Sequence, residues 1–239
     1  MKRLSFLLFT LLVLIISCKS SRKTDSSDTL TGTATNKLIG KYIGNVGADT
    51  MMMYITTITA DSIRGYCRNK DSDIYKPFRG AYSLENGIYK ITASDDGHDN
   101  DNGVYAFSFD TNSSDVITGN WKKYGDDESA RISYSLQRKT FLYSKTVGMY
   151  PEASQRALKD SDVDEYSGDD LQVIRNEIYA RHGYCFKNSS EMGFFVSQDW
   201  YVPVSGDVKS ELTVIEKKNI PFILKHEKYA KAHDEDYGR

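Results

Sequence analysis

The sequence predicts an α+β protein in two parts: an N-terminal antiparallel β-barrel or sandwich of about eight strands, then a small all-α domain. Two observations carry this. From Asn36 to about Lys139, apolar and polar residues alternate over short runs separated by turn residues. Beyond Lys139 the period lengthens to that of helices. The 239 residues, 39% hydrophobic and 27% charged, describe a globular chain long enough for one large or two small cores.

The strands fall near 38–44, 50–59, 62–68, 76–84, 87–93, 103–109, 115–123 and 131–138. Turn chemistry at Asp61-Ser62, Glu85-Asn86-Gly87, Asp110 to Asn112 and Gly125-Asp126 separates them. Such regular spacing favours a meander. A Gly-x-aromatic unit recurs at Gly40/Tyr42, Gly80/Tyr82, Gly87/Tyr89, Gly103/Tyr105 and Gly119/Trp121. Residues two apart share a sheet face, so each Gly is expected beside its own aromatic, which suits a tightly curved barrel. The interior is expected to be filled by these rings rather than by a ligand. The stretch Ile117 to Lys123 resembles the Gly-x-Trp strands of lipocalin- and avidin-like barrels over those few residues. Phe141 to Pro151 is expected to close the barrel and lead onward.

In the helical part, Leu171, Ile174 and Ile178 form one helix face. Asp169 or Asp170 can cap its start, and Gly183 can end it in the left-handed conformation. Glu177 and Arg181 stand four apart and can pair. A short helix is expected near Glu191 to Ser197. The last helix opens on Thr213-Val-Ile-Glu216, a capping box, and Pro221 should kink or break it.

The chain opens with Lys2 and Arg3, an apolar run from Leu4 to Ile16, then Ser17-Cys18. The run is short of the roughly 20 apolar residues of a membrane span and reads as a secretory signal over 1–17. Ile15 to Cys18 resembles the lipobox of bacterial lipoproteins, which implies acylation of the Cys18 thiol and anchorage to a bacterial membrane, the outer membrane in this reading. Residues 18–36, rich in Ser and Thr, predict a flexible tether. The remaining boundaries are 37–146 for the β part, 149–231 for the helical part and 232–239 for a polar tail.

Lys+Arg total 31 against 33 Asp+Glu, so no basic excess argues for nucleic acid. The acidic loop Ser94 to Gly103 carries Asp99 and Asp101 but lacks an EF-hand's twelfth-position Glu, so a solvated hairpin tip is the simpler reading. His98, His226 and His233 show no metal spacing, and no cofactor motif is present. Cys67 and Cys185 fall in different parts; separate thiols are the simpler reading and a disulfide the alternative.

The chemistry concentrates in RNEIYARHGYCFK, Arg175 to Lys187. Arg175, Tyr179 and His182 lie along one helix flank, with His182 at the edge of the apolar stripe and expected to be partly exposed. With the later Phe195 and Trp200-Tyr201, this stretch resembles the YARHG domain; Tyr179 to Gly183 spell the name. Glu216 and Asn219-Ile220 also fall in the pattern, Pro221 is less typical, and the resemblance covers about Met149 to Lys231. It implies an exported bacterial protein and a fold; no activity comes with it.

Three readings of the cluster follow. As a structural device, Arg181 and His182 bond neighbouring loops and end the helix, and Arg181→Ala costs about 1–3 kcal/mol. As a ligand site, Tyr179, Arg181, His182, Trp200 and Tyr201 are the contact residues. As a catalytic site, His182 is a base, yet no motif completes a triad. The leading expectation is a non-enzymatic binding module for a glycan, peptidoglycan or protein of the envelope. The alternatives are a cell-wall hydrolase and a spacer.

Overall fold

The computed structural model describes residues 37–72, 74–97, 102–112 and 115–233. The signal peptide, Cys18, the tether, most of the polar tail, and Asp99 and Asp101 of the acidic loop lie outside the described residues.

The eight strands are β1 (Gly40–Val46), β2 (Asp49–Ile58), β3 (Ser62–Asn69), β4 (Lys76–Glu85), β5 (Ile88–Asp95), β6 (Gly103–Asp110), β7 (Val116–Lys123) and β8 (Ile132–Arg138). Each pairs antiparallel with the next, and β8 pairs back to β1 from Tyr42↔Arg138 to Val46↔Tyr134. The result is a closed barrel rather than a sandwich. Closure by β8 on β1 leaves no sheet edge, so Phe141 to Pro151 has no strand to complete. That segment is irregular instead, and it runs to the helical part.

Side chains alternate as the pleat requires. Tyr42, Met53, Ile55, Ile63, Phe78, Ile91, Phe107, Ile117 and Leu136 fill the interior. At one end Tyr42 donates to the Leu38 carbonyl at 3.0 Å and accepts from Arg138 at 2.7 Å, closing that mouth. The filling stops short of the other mouth, where a cavity of about 370 Å³ remains.

The recurring glycines work across strands rather than along them. Gly103 pairs with Lys123, two residues along from the Tyr105↔Trp121 pair and on the same face. A Cβ built on Gly103 would fall 1.6 Å from the Trp121 ring nitrogen, so the indole can cover this backbone only because no side chain is there.

β2 breaks the simple alternation. Its middle is buried on both faces, with Met52 and Tyr54 pointing away from the barrel interior. With Tyr66 of β3 they pack on Phe186, Met192, Phe195, Val196 and Tyr201 of the helical part. Lys41 donates to the Asp199 carbonyl at 2.7 Å, and Arg68 forms an ion pair with the Asp199 carboxylate. Burial pulls the Lys41 ammonium down to about 8, against a smaller opposing effect of Asp199.

The helices are α1 (Glu152–Gln155), α2 (Gly168–Arg181), α3 (Ser189–Val196) and α4 (Val214–His233). An isolated parallel bridge, Tyr184↔Ser205, joins the chain after α2 to the segment before α4. Leu171, Ile174 and Ile178 of α2 meet Ile223 of α4, with Ala153, Val163 and Leu212 around them. The cap of α2 is Ser167, not an Asp: its hydroxyl accepts from the Asp170 N–H, and Asp170 reaches back to the Ser167 N–H. Serine leaves Asp170 in the third position, where its carboxylate completes the box and faces the helix dipole.

Pro221 does not end α4. The hydrogen bond it removes belongs to the exposed side of the helix, where Lys217 and Pro221 both face solvent, so water can take the carbonyl. Cys67 and Cys185 are both free and buried, in separate places, and burial pushes both thiols up, Cys185 to about 12.

Candidate functional site

The last turn of α2 carries the cluster into the core between α1 and α4. Arg181 is 2% exposed. Its Nε donates to the Val147 carbonyl at 2.9 Å, one terminal nitrogen to Ser154 Oγ at 3.2 Å, and the other to Glu177 at 2.7 Å. The planar fork thereby ties three chain segments together, which a lysine could not do. Glu177 also accepts the backbone N–H groups of Met149 at 2.7 Å and Tyr150 at 3.0 Å. Burial pulls the Arg181 guanidinium down, and Glu177 and Glu216 oppose it.

Ser154 passes the network on, donating to Glu216 at 2.7 Å. The other oxygen of Glu216 lies 2.8 Å from His182 Nε2 and 2.8 Å from the Thr213 N–H. Tyr143, from the segment after the barrel, donates to Glu216 at 3.1 Å and stacks on the His182 ring at 4.5 Å. His182 is 6% exposed, not the partly open residue expected from its place on the helix wheel. The wheel shows the stripe facing α4 but not the strap of Tyr143 laid over the other side. One edge of His182 still borders a surface hollow with Phe141, Val204 and Thr213.

Burial alone would raise the Glu216 carboxyl, yet bonds from His182, Ser154 and the Thr213 N–H outweigh it and hold it at about 2, against an ordinary 4.5. A depressed folded value means stability that is complete above about pH 4.5 and is lost as pH falls toward 2. Glu216→Gln should therefore flatten part of the acid limb between those values. The check is urea unfolding of both proteins at steps from pH 6 down to 2.5; an unchanged slope would show that Glu216 does not carry it.

The other candidates separate. Arg175 leaves the flank to pair with Glu227 of α4 at 2.7 Å. Tyr179 is half-buried against Tyr184, with ring centres 5.9 Å apart. Tyr201 is fully buried at the junction with the barrel and donates to the Tyr184 carbonyl at 2.7 Å. Trp200 is partly exposed, edge-on to Phe195 and Tyr201. So Arg181 and His182 share one network, while Tyr179, Trp200 and Tyr201 belong to the aromatic cluster facing the barrel.

Two members of the network stand outside the site residues that the sequence suggests. Glu216 is legible in the sequence as a capping residue and as a position of the YARHG pattern, not as a site residue, and Ser154 carries no signal at all. Asn219 is a third polar anchor: its amide donates to the Ala153 and Arg156 carbonyls at 2.9 and 2.7 Å and accepts from the Leu158 N–H at 3.1 Å. Among the described residues, no three His, Cys, Asp or Glu side chains gather as a metal site.

Chemically the order of the network matters. A hydrolytic triad places the imidazole between hydroxyl and carboxylate, so that it can take the hydroxyl proton. Here the Glu216 carboxylate stands between Ser154 and His182, and Ser154 is 4% exposed. The arrangement defines a small helical module organised around a buried, mutually satisfied ionic network. Residues 146–228 match the YARHG domain, about three residues from the limits read from the sequence. That domain is typical of extracellular and envelope proteins, consistent with export. No curated protein matches the chain, and no solved structure does.

Proposed function

We propose that this chain is a lipid-anchored envelope protein that binds an envelope component, a glycan, peptidoglycan or protein, without catalysing a reaction. In this reading the fold divides at 37–146 and 149–231, and the acyl chains on Cys18 hold both parts to the outer membrane through the 18–36 tether. The observation that carries the non-catalytic part is the Ser154–Glu216–His182 order, in which the buried Ser154 hydroxyl has the Glu216 carboxylate and the Arg181 guanidinium beside it and not the imidazole of a triad. Among the candidate contact residues, Tyr179 and Trp200 keep accessible surface; Arg181, His182 and Tyr201 support them from within.

The test is a pull-down of envelope extract on the mature protein, beside an assay for soluble fragments released from peptidoglycan. Retention of an envelope component with no release supports the reading. Release that disappears in His182→Ala replaces it with the hydrolase. For the anchor, Cys18→Ser should leave an uncleaved precursor or soluble protein on fractionation. Mature Cys18→Ser protein still in the membrane pellet would rule out acylation as the anchor.

A further inference from the structure

A cleft of about 590 Å³ lies between the outer wall of the barrel and the helical part, within the size range of small-molecule sites. Ile39, Ile58 and Pro77 from the barrel side and Phe186 and Met192 from the helical side give it an apolar floor.

The charged residues of its lining are Arg64, Asp96 and Lys187. Arg64 of β3 stands directly opposite Arg79 of β4, and both are exposed on the outer face. Like charges paired across strands are destabilising unless something neutralises them. Asp96 answers Arg79 at 2.9 Å. Arg64 and Lys187 form no ion pair with a described residue. Two cations, one from each part of the fold, therefore border one cleft whose only charged acceptor among the lining residues is already engaged.

Tyr66 adds a donor. It is 9% exposed and lines the same cleft, and its hydroxyl bonds to no described residue. Burial raises that hydroxyl, Tyr75 and Asp96 act in the same direction, and Arg64 opposes them, so it stands among the charges of the cleft. The ring packs edge-on to Tyr75 with centres 5.8 Å apart, which holds it in place before a ligand arrives.

This chemistry narrows the ligand. A cation would be repelled by Arg64 and Lys187, and a neutral molecule would leave both without a counter-charge. A lone carboxylate supplies one charge and two acceptor oxygens. A phosphate monoester carries about −1.5 to −2 at neutral pH and three acceptor oxygens. It matches two cations and one phenol hydroxyl both in charge and in the number of groups that donate.

We infer that the cleft binds a phosphate monoester, with Arg64, Lys187 and the Tyr66 hydroxyl donating to the phosphate and the organic body lying on the apolar floor. The inference rests on the binding-module reading and gives that module a ligand class. The helical part completes the site, since it brings Lys187 and Phe186 to a barrel wall that carries Arg64 and Tyr66.

Isothermal titration of the full mature chain in detergent, at constant ionic strength, tests it. The probes are glucose 1-phosphate, glycerol 3-phosphate and phenyl phosphate, with glucose and glucuronate as comparisons. At least one ester is expected to saturate the protein and to bind more tightly than glucuronate. Arg64→Gln and Lys187→Gln should each weaken it by about tenfold, the loss of one charge-assisted contact, and Tyr66→Phe by less. Both cations are exposed, so their variants should melt like the wild type, which separates lost binding from lost folding. Lys217→Gln, on the solvent side of α4, should leave the affinity unchanged. The assignment is overturned if no ester binds, if glucose or glucuronate binds as tightly, if neither cleft variant weakens binding, or if Lys217→Gln weakens it equally. A free ester and a phosphorylated envelope component share this chemistry, and competition separates them. An ester that releases what the envelope pull-down retains supports a phosphate borne by that component. Retention that the ester leaves undisturbed supports a free ester as the ligand of the cleft. A positive pull-down with no ester bound would sink the phosphate assignment alone. An ester titration that succeeds while the pull-down retains nothing would sink the envelope partner alone.

Discussion

Arg181→Ala is expected to lower the unfolding free energy by about 3–5 kcal/mol, the range for removing one partner of a buried ion pair. This exceeds the 1–3 kcal/mol that carbonyl bonds alone would give. The difference comes from Glu177, which is itself buried and would be left with only the Met149 and Tyr150 N–H groups to meet its carboxylate. The Val147 carbonyl and Ser154 would also lose their donor, and the removed side chain would leave a cavity among fully buried neighbours. Arg181→Lys keeps the charge but can reach only part of the set, so it should fall between alanine and wild type. Urea unfolding of the mature protein, followed by far-UV circular dichroism, gives the values. An Arg181→Ala protein as stable as wild type, but impaired in binding, would make the residue part of a site instead of a strut.

Much of this architecture is legible in the sequence because one-sided burial leaves a period. The strands were placed to within about two residues, since a slip of one would turn every interior ring outward. The two-sided burial of β2 also leaves a trace. TMMMYIT is continuously apolar or nearly so where its neighbours alternate, the mark of a strand covered on both faces, and it locates the junction with the helical part. The buried network is different. Ser154 and Glu216 are 62 residues apart and each is polar in a region of polar residues, so no periodicity joins them. The i, i+4 spacing of Glu177 and Arg181, the capping box at Thr213 and the family pattern at Glu216 are visible in the sequence, and none of them says that the carboxylates are buried. The mouth cavity is invisible for a related reason. A Gly-x-aromatic repeat counts rings but not where they stop, and Trp121 shields Gly103 from across the sheet.

Gly183→Val is expected to cost about 2–5 kcal/mol, from left-handed backbone strain of about 1–2 kcal/mol and overpacking of about 1–3 kcal/mol. The helix ends here in a Schellman turn: the Tyr184 N–H donates to the Tyr179 carbonyl at 3.2 Å and the Gly183 N–H to the Ala180 carbonyl at 2.8 Å. This geometry sets φ of Gly183 at +73°, which a β-branched residue strongly resists. There is no room either. A Cβ would sit 2.5 Å from Val204 Cγ2 and 2.7 Å from the Val202 carbonyl oxygen. The chain cannot yield locally, because the Gly183 carbonyl accepts from the Val204 N–H at 2.7 Å and the Cys185 N–H donates to the Ser205 carbonyl at 2.8 Å. Moving this turn would shift His182 off Glu216 on one side and Tyr184 off Tyr201 on the other. Gly183→Ala should suffer less, having the same φ but one contact shell fewer to displace. Thermal melts of both variants beside His182→Ala order the effects. Valine melting no lower than His182→Ala would mean that the turn can be rebuilt without glycine, and the motif's final residue would then need another explanation.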